Sequence, residues 1–520
     1  MYRLLLLLLL CTSGFAQSYD LIIGNGKIID GTGNSWFYGD LAVKDGKIIA
    51  VGKLDRSQAK NFIDAAGLVV APGFIDVHTH IEGSMLEVPA AENFVLDGVT
   101  SVITGNCGGS AVNVKQFFTQ LDSVKTSINV GTLIGHNSVR RSVMGDSDRD
   151  PTTEEQHKME QVVEQGMKDG AVGLSTGLIY VPGAYSKTPE VIGLAKAASQ
   201  YGGVYASHIR SEGFEVTQAI EEAINIGRQA NIPVEISHFK VTYKPNWGRS
   251  AQTLTQVEKA RQEGIDVTID QYPYVASSTT LSTTLPNWAL SGGLDSVRVR
   301  LENPAIRMKI KKEMVAELKR KELKNFSYAV VARYSPDSTL NGKNISEINA
   351  LKGRKPKAME EAETILELVA STGRVQMVFF SMNEKDIQRI IQYPFNMFAS
   401  DAGVNKFGSG MPHPRAYGTN SKVLGTYVRE LKLIRLEEAI RRMTSLPATK
   451  FKLYDRGLLR EGMAADIVIF DEKTVDDRAT YQKPHAYAVG FKYVIINGAV
   501  TAQDGRHTGE RKGQVLKCRQ

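Results

Sequence analysis

The chain has 520 residues, 42% of them hydrophobic and 23% charged, a balance that can bury a large core and excludes a disordered or low-complexity protein. The formal charge of +7 is spread over many side chains. Its densest basic run, Lys309–Lys324, has helical periodicity and reads as a solvated helix face, so no nucleic-acid partner is expected, while the positive balance favours anionic small molecules.

Residues 1–17 read as a secretory signal. Arg3 supplies the positive end, Leu4–Leu10 an apolar stretch too short to span a bilayer, and Gly14-Phe15-Ala16 a small-x-small site with cleavage before Gln17. The expected location is periplasmic or secreted. Leu8-Leu9-Leu10-Cys11 weakly suggests a lipoprotein site, but Leu10 is bulky where a small residue is needed, so a lipid anchor at Cys11 is the lesser alternative. No other segment reads as a transmembrane span. Signal removal leaves Cys107 and Cys518, which do not make a disulfide framework.

Residues 18–72 are strand-rich, with Leu21–Ile23, Lys27–Ile29, Leu41–Val43 and Lys47–Val51 as short strands and Asp45-Gly46 as a hairpin turn. Residues 455–520 look alike: Asp466–Phe470 and Tyr493–Ile496 read as strands, with Asn497-Gly498 as a turn. One small β-sandwich domain built from both termini is expected. Between them, over 73–454, strand and helix patterns alternate. Thr152 and Glu155 form a capping box opening a helix of about fifteen residues, Thr188-Pro189 opens a second, and Glu215–Ala230 is a third. Such alternation predicts βα units and a (β/α)8 barrel. About nine strand candidates are present, among them Ile265–Asp270, Val375–Phe380 and Asn396–Ser400, one more than the barrel needs. The stretch 285–351 breaks the rhythm and reads as an inserted subdomain.

His78 and His80 are two apart on Gly73-Phe74-Ile75-Asp76-Val77-His78-Thr79-His80, so both imidazoles can reach one ion from one face of a strand. Cys107, His208, His238 and Asp401 also fall at or just beyond the ends of apolar strand-like runs. In a parallel barrel those ends open on one face, and imidazole, thiolate and carboxylate together suit zinc. His136 follows the strand-like Thr132–Ile134 and is left between a structural role and a substrate contact. His157, His485 and His507 read as solvated.

Gly73-Phe74-Ile75-Asp76-x-His78-x-His80 resembles the strand-one signature of the amidohydrolase superfamily. Gly105-Asn106-Cys107-Gly108, Gly173-Leu174-Ser175-Thr176-Gly177-Leu178, Ser207-His208-x-Arg210-x-Glu212-Gly213, Ser237-His238-x-Lys240, Tyr272-Pro273-Tyr274 and Ser400-Asp401 narrow the resemblance to the N-acyl-D-amino-acid deacylases, over nearly all of the mature chain. Cysteine is the discriminating member, because hydantoinase-like relatives use a carboxylated lysine as the bridge. The family often shows His-His-Lys where this chain has His238-Phe239-Lys240.

The resemblance implies a zinc-dependent hydrolase of N-acyl-D-amino acids. Cys107, His208 and His238 would hold one tightly bound zinc, and His78, His80 and Asp401 would surround a second, weaker position. Asp401 would act as general base and then general acid. Lys240, Tyr272, Ser278 and Arg415 would take the substrate carboxylate, and Tyr180 would touch the scissile carbonyl. Two alternatives stay open: a hydrolase of another amide, such as a D-residue dipeptide or a cyclic ureide, and a non-catalytic binding protein. The sequence leaves oligomeric state, acyl group and D-side chain open.

Overall fold

The computed structural model describes residues 19–518. The expected signal segment 1–17 and Cys11 lie outside the described residues. No described helix is long and apolar enough to cross a membrane.

Eight parallel strand paths, in nine segments, surround the centre of the molecule. Phe74–Asp76, Val99–Thr104 and Asn129–Thr132 form one sheet, and Ile134–Gly135, Gly173–Gly177, Val204–His208, Val234–Ile236, Val267–Gln271 and Asn396–Phe398 form another. Asn129–Thr132 and Ile134–Gly135 are one strand path interrupted at Leu133, which joins the two sheets. On the other side a parallel bridge between Thr79 and Ala402 closes the ring, with the Asp401 N–H donating to His78 O and the His80 N–H to Ala402 O, both at 2.9 Å. The strands are short and buried on both faces, as parallel strands under helices must be; Val99–Thr104 has no exposed residue.

The helices between the strands follow their sequence signals. Thr152 caps Thr153–Lys168 with a complete capping box through Glu155, and Thr188–Ser199 has proline in its first turn. Val216–Ala230 buries Val216, Ala219, Ile220, Ala223, Ile224 and Gly227, the i, i+3, i+4 stripe that seats a helix on a sheet.

The surplus ninth strand belongs elsewhere. Gln376–Phe380 pairs antiparallel with both Ala276–Thr280 and Ala329–Arg333 in a separate three-stranded sheet. That sheet and its helices form an insertion between the last two barrel strands. Its own apolar core runs from Leu281 to Phe379, well beyond the 285–351 stretch read from sequence.

The two chain ends share one nine-stranded sheet, the β-domain expected from both termini. The cause is the ten-residue strand Tyr19–Ile28, whose first half pairs with Ala59–Asp64 and whose end pairs with Val69–Pro72. A register shift between Ile23 and Gly26 marks the branch, so hydrogen bonding stays continuous while the sheet wraps around Leu41, Ile48, Ile467 and Ile495. Asp45-Gly46 and Asn497-Gly498 are its hairpin turns, with positive φ at all four residues.

Candidate metal centre

Six donor residues from five strand ends meet on one face of the ring, His78 and His80 sharing the first. Cys107 Sγ lies 3.3 Å from His78 Nε2, 3.5 Å from His208 Nδ1 and 3.5 Å from His238 Nε2. Asp401 Oδ1 lies 3.2 Å from His80 Nε2 and 3.8 Å from His78 Nε2. Three triads, His78–His80–Cys107, Cys107–His208–His238 and His78–His238–Asp401, each place one donor atom per residue within 4.8 Å of one another.

The backbone is bent to achieve this. Cys107, His238 and Asp401 have φ of 52°, 37° and 50°, the left-handed region that side chains disfavour. Each turns the chain sharply at a strand end so that the side chain faces inward. Gly105 and Gly108 flank Cys107 with φ of 76° and 74°, and any side chain at Gly108 would collide with Asn137.

A layer of carboxylates orients the imidazoles. Asp270 Oδ2 lies 3.2 Å from His78 Nδ1, and its Oδ1 accepts the His238 N–H at 2.7 Å. Glu212 Oε1 lies 2.9 Å from His238 Nδ1 and is also bound by Lys240 Nζ. Such partners fix which ring nitrogen faces the centre. Burial opposes ionisation of the Cys107 thiol, but His78 and His208 outweigh it and hold the thiol well below its usual range. Burial likewise opposes charge on His80, yet Asp401 and Cys107 push it up to about 10. A thiolate and carboxylates in a buried site thus create a strong preference for positive charge, and the donor set of soft sulfur, imidazole and carboxylate fits zinc.

Two cavities meet at the centre and share Tyr180, Ser278, Thr279 and Asp401. The first, about 470 Å³, is lined by His208, His238, Lys240 and Tyr272, with Leu285, Met314, Tyr328 and Phe379 of the insertion opposite. The second, about 670 Å³, is lined by His80, Cys107, Arg141, Arg333, Lys406 and Arg415. The Tyr272 hydroxyl is buried without a hydrogen-bond partner. Two cations approach its ring, with Lys240 Nζ 5.5 Å and Arg415 Cζ 4.4 Å from the centroid. Arg415 is already engaged: its Nη1 lies 2.9 Å from Asp401 Oδ2. Burial would raise the Asp401 carboxyl, but Arg415 and His80 hold it well below the usual carboxylate range. Tyr180 sits with its ring 4.7 Å from that of His208 and accepts a hydrogen bond from Thr279 Oγ1 at 3.0 Å. Ser278, expected at the substrate carboxylate, is in the edge strand of the insertion sheet, and its hydroxyl accepts from Gln376.

Residues 61–502 match the sequence model of the Amidohydrolase family. The chain belongs to the amidohydrolase family. Within that family it is 34% identical to a D-aminoacylase of Alcaligenes xylosoxydans xylosoxydans, over 96% of this chain and 98% of the relative. The N-acyl-D-glutamate deacylase of Bordetella bronchiseptica, solved with zinc and a phosphonate mimic of the tetrahedral intermediate, superposes with a TM-score of 0.81 at 34% identity, covering 96% of this chain and 100% of that one. A structure of D-aminoacylase, described by its binuclear metal centre with one-metal activation and second-metal attenuation, gives the same TM-score, identity and coverage.

This amidohydrolase uses residues to which sequence reasoning gave no role. Asp270 ends an apolar strand run, the same signal that singled out Asp401, and Glu212 lies four residues after His208. Their contacts join segments far apart in the chain. His136 is placed away from both cavities: it is fully buried, with Nε2 2.8 Å from Glu190 Oε1, beside Arg140. It belongs to a buried cluster with Glu190 and Arg140. His157 is exposed, but His485 bonds Tyr417 and Gly410, and His507 bonds Ser127, so neither of these is simply solvated.

Proposed function

We propose that the protein hydrolyses the amide bond of N-acyl-D-amino acids to a carboxylate and a free D-amino acid, using zinc. One observation carries this reading: the six donor residues meet where two cavities join, so a linear amide can lie across the centre with one half in each cavity. Cys107, His208 and His238 would hold the zinc firmly. His78, His80 and Asp401 would surround a second, weaker position beside Cys107. An ion held there supplies a Lewis acid that polarises the acyl carbonyl and lowers the pKa of water.

Asp401 takes a proton from the attacking water and later delivers it to the amine nitrogen. Arg415 and His80 keep its carboxylate ionised for the first of these tasks. Lys240, Tyr272 and Ser278 receive the amino-acid carboxylate in the first cavity, with Tyr272 offering an unused donor. Arg415, which also packs on the Tyr272 ring, reaches the same carboxylate. Tyr180 flanks the scissile carbonyl. The D-side chain then meets Leu285, Met314, Tyr328 and Phe379, an apolar wall. Fixing carboxylate, carbonyl and side chain at three points selects one hand of the α-carbon. The signal-like segment 1–17 supports action in the periplasm or outside the cell.

Asp401→Asn tests the proton-carrying role. Turnover is expected to fall by about 10²–10⁴-fold while zinc content, measured by elemental analysis, is largely kept. Near-wild-type turnover in the zinc-loaded variant would contradict the assignment.

A further inference from the structure

The two cavities differ in size and in sign of charge, and the difference bears on the acyl half of the substrate. The first holds Lys240 and Tyr272, assigned above to the amino-acid carboxylate. An amide seated there directs its acyl half past Asp401 into the second cavity, which measures about 670 Å³. An acetyl group fills little of that space: three heavy atoms displace roughly the volume of three waters, about 90 Å³.

Five carboxylates and three cations line the first cavity. Four cations, Arg141, Arg333, Lys406 and Arg415, line the second, against only Glu87 and Asp401. Arg415 is paired with Asp401 and is assigned above to the amino-acid carboxylate, and Arg141 is paired with Asp146 at 2.9 Å. The side chains of Arg333 and Lys406 have no hydrogen bond or ion pair with any described residue. These two unneutralised cations come from different units. Arg333 ends the insertion strand Ala329–Arg333, while Lys406 lies in the loop after the last barrel strand.

That loop is fastened at its far end. The Met411 N–H donates to Ala332 O at 2.8 Å, the Gly408 N–H donates to His485 Nδ1 at 3.2 Å, and His485 Nε2 lies 3.0 Å from Gly410 O. The backbone therefore brings two like charges to the wall of one cavity, where an anion would relieve their repulsion.

We propose that the second cavity is an acyl subsite for a group longer than acetyl whose far end carries a carboxylate, an ω-carboxyacyl group of the succinyl or glutaryl class. The assignment of the two halves rests on the deacylase reading.

The test compares kcat/KM of the zinc-loaded protein on N-acetyl, N-pentanoyl and N-succinyl derivatives of one amino acid, in parallel D- and L-series. With two exposed ion pairs at up to about fivefold each, N-succinyl is expected to exceed N-pentanoyl by roughly tenfold at low ionic strength, narrowing with added salt. The Arg333→Ala/Lys406→Ala variant, altered only at exposed positions, is expected to lose that preference and keep N-acetyl turnover within about twofold. Equal wild-type rates on N-succinyl and N-pentanoyl, or a double variant that slows all three acyl groups alike, would overturn the proposal. Turnover confined to the L-series would contradict the deacylase stereochemistry while leaving the acyl comparison readable. Should neither series react, calorimetric binding of succinate against pentanoate decides: equal affinities overturn the subsite, and a succinate preference lost in the double variant supports it.

Discussion

Cys107, His238 and Asp401 each hold a left-handed backbone that costs about 1–2 kcal/mol for a residue with a side chain. Three such residues at one centre show where the fold has traded stability for the placement of donor atoms. Tyr272 shows the same tension in its side chain, because its buried hydroxyl has no partner. Removing that hydroxyl as Tyr272→Phe is expected to raise KM about five- to thirtyfold with little change in kcat, and to leave the melting temperature unchanged or slightly higher. Steady-state kinetics with a thermal melt checks this; an unchanged KM would remove Tyr272 from carboxylate binding. The six donor residues were legible in sequence because each sits at a strand end, a position that parallel barrels reserve for chemistry. Arg415 was legible as a site residue, but its bond to Asp401 was not. Asp270 was passed over because its contact with His78 spans the barrel, and no local pattern records which strand ends face one another.

At the scale of elements, Gln376–Phe380 shows where the pattern misleads. A short apolar run reads the same whether its neighbours are parallel or antiparallel, so this strand was counted with the barrel. Its true partners lie in the insertion, on which Ser278 and Arg333 are carried. The insertion has a core of its own, separate from that of the barrel. Ile365 is fully buried within it. Ile365→Ala is expected to cost about 2–5 kcal/mol, borne mainly by the insertion. Hydrogen exchange should show faster opening there, with a raised KM and retained zinc. Zinc loss equal to the loss of substrate affinity would mean that the insertion and the metal centre are one unit. Helix signals were the more legible kind: the Thr152 capping box and the Thr188-Pro189 start both lie within a residue of the helix they announce.

At the scale of the molecule, the chain closes on itself twice. Its ends build one nine-stranded sheet, and its tail then returns to the barrel. Val515 forms a parallel bridge with Val130, the Leu516 N–H donates to Val130 O at 2.8 Å, and the Leu516 side chain packs with Ile103, Leu133 and Val204. Leu516→Ala is expected to destabilise the protein by about 2–5 kcal/mol, seen as a lower denaturant midpoint; a change below about 0.5 kcal/mol would make the tail a surface appendage. Composition and turn signals revealed a two-ended β-domain, but the branching strand Tyr19–Ile28 that makes it one sheet depends on a register shift that sequence does not display. The whole arrangement, a metal centre between two cavities under an inserted cap, leads to one claim: hydrolysis of linear N-acyl amides of D-amino acids. The direct measurement is kcat/KM of the zinc-loaded protein across matched N-acyl-D- and N-acyl-L-amino acids, with hydantoins alongside. Turnover concentrated in the D-series is the expected result, and faster turnover of the L-series or of the cyclic ureides would contradict it.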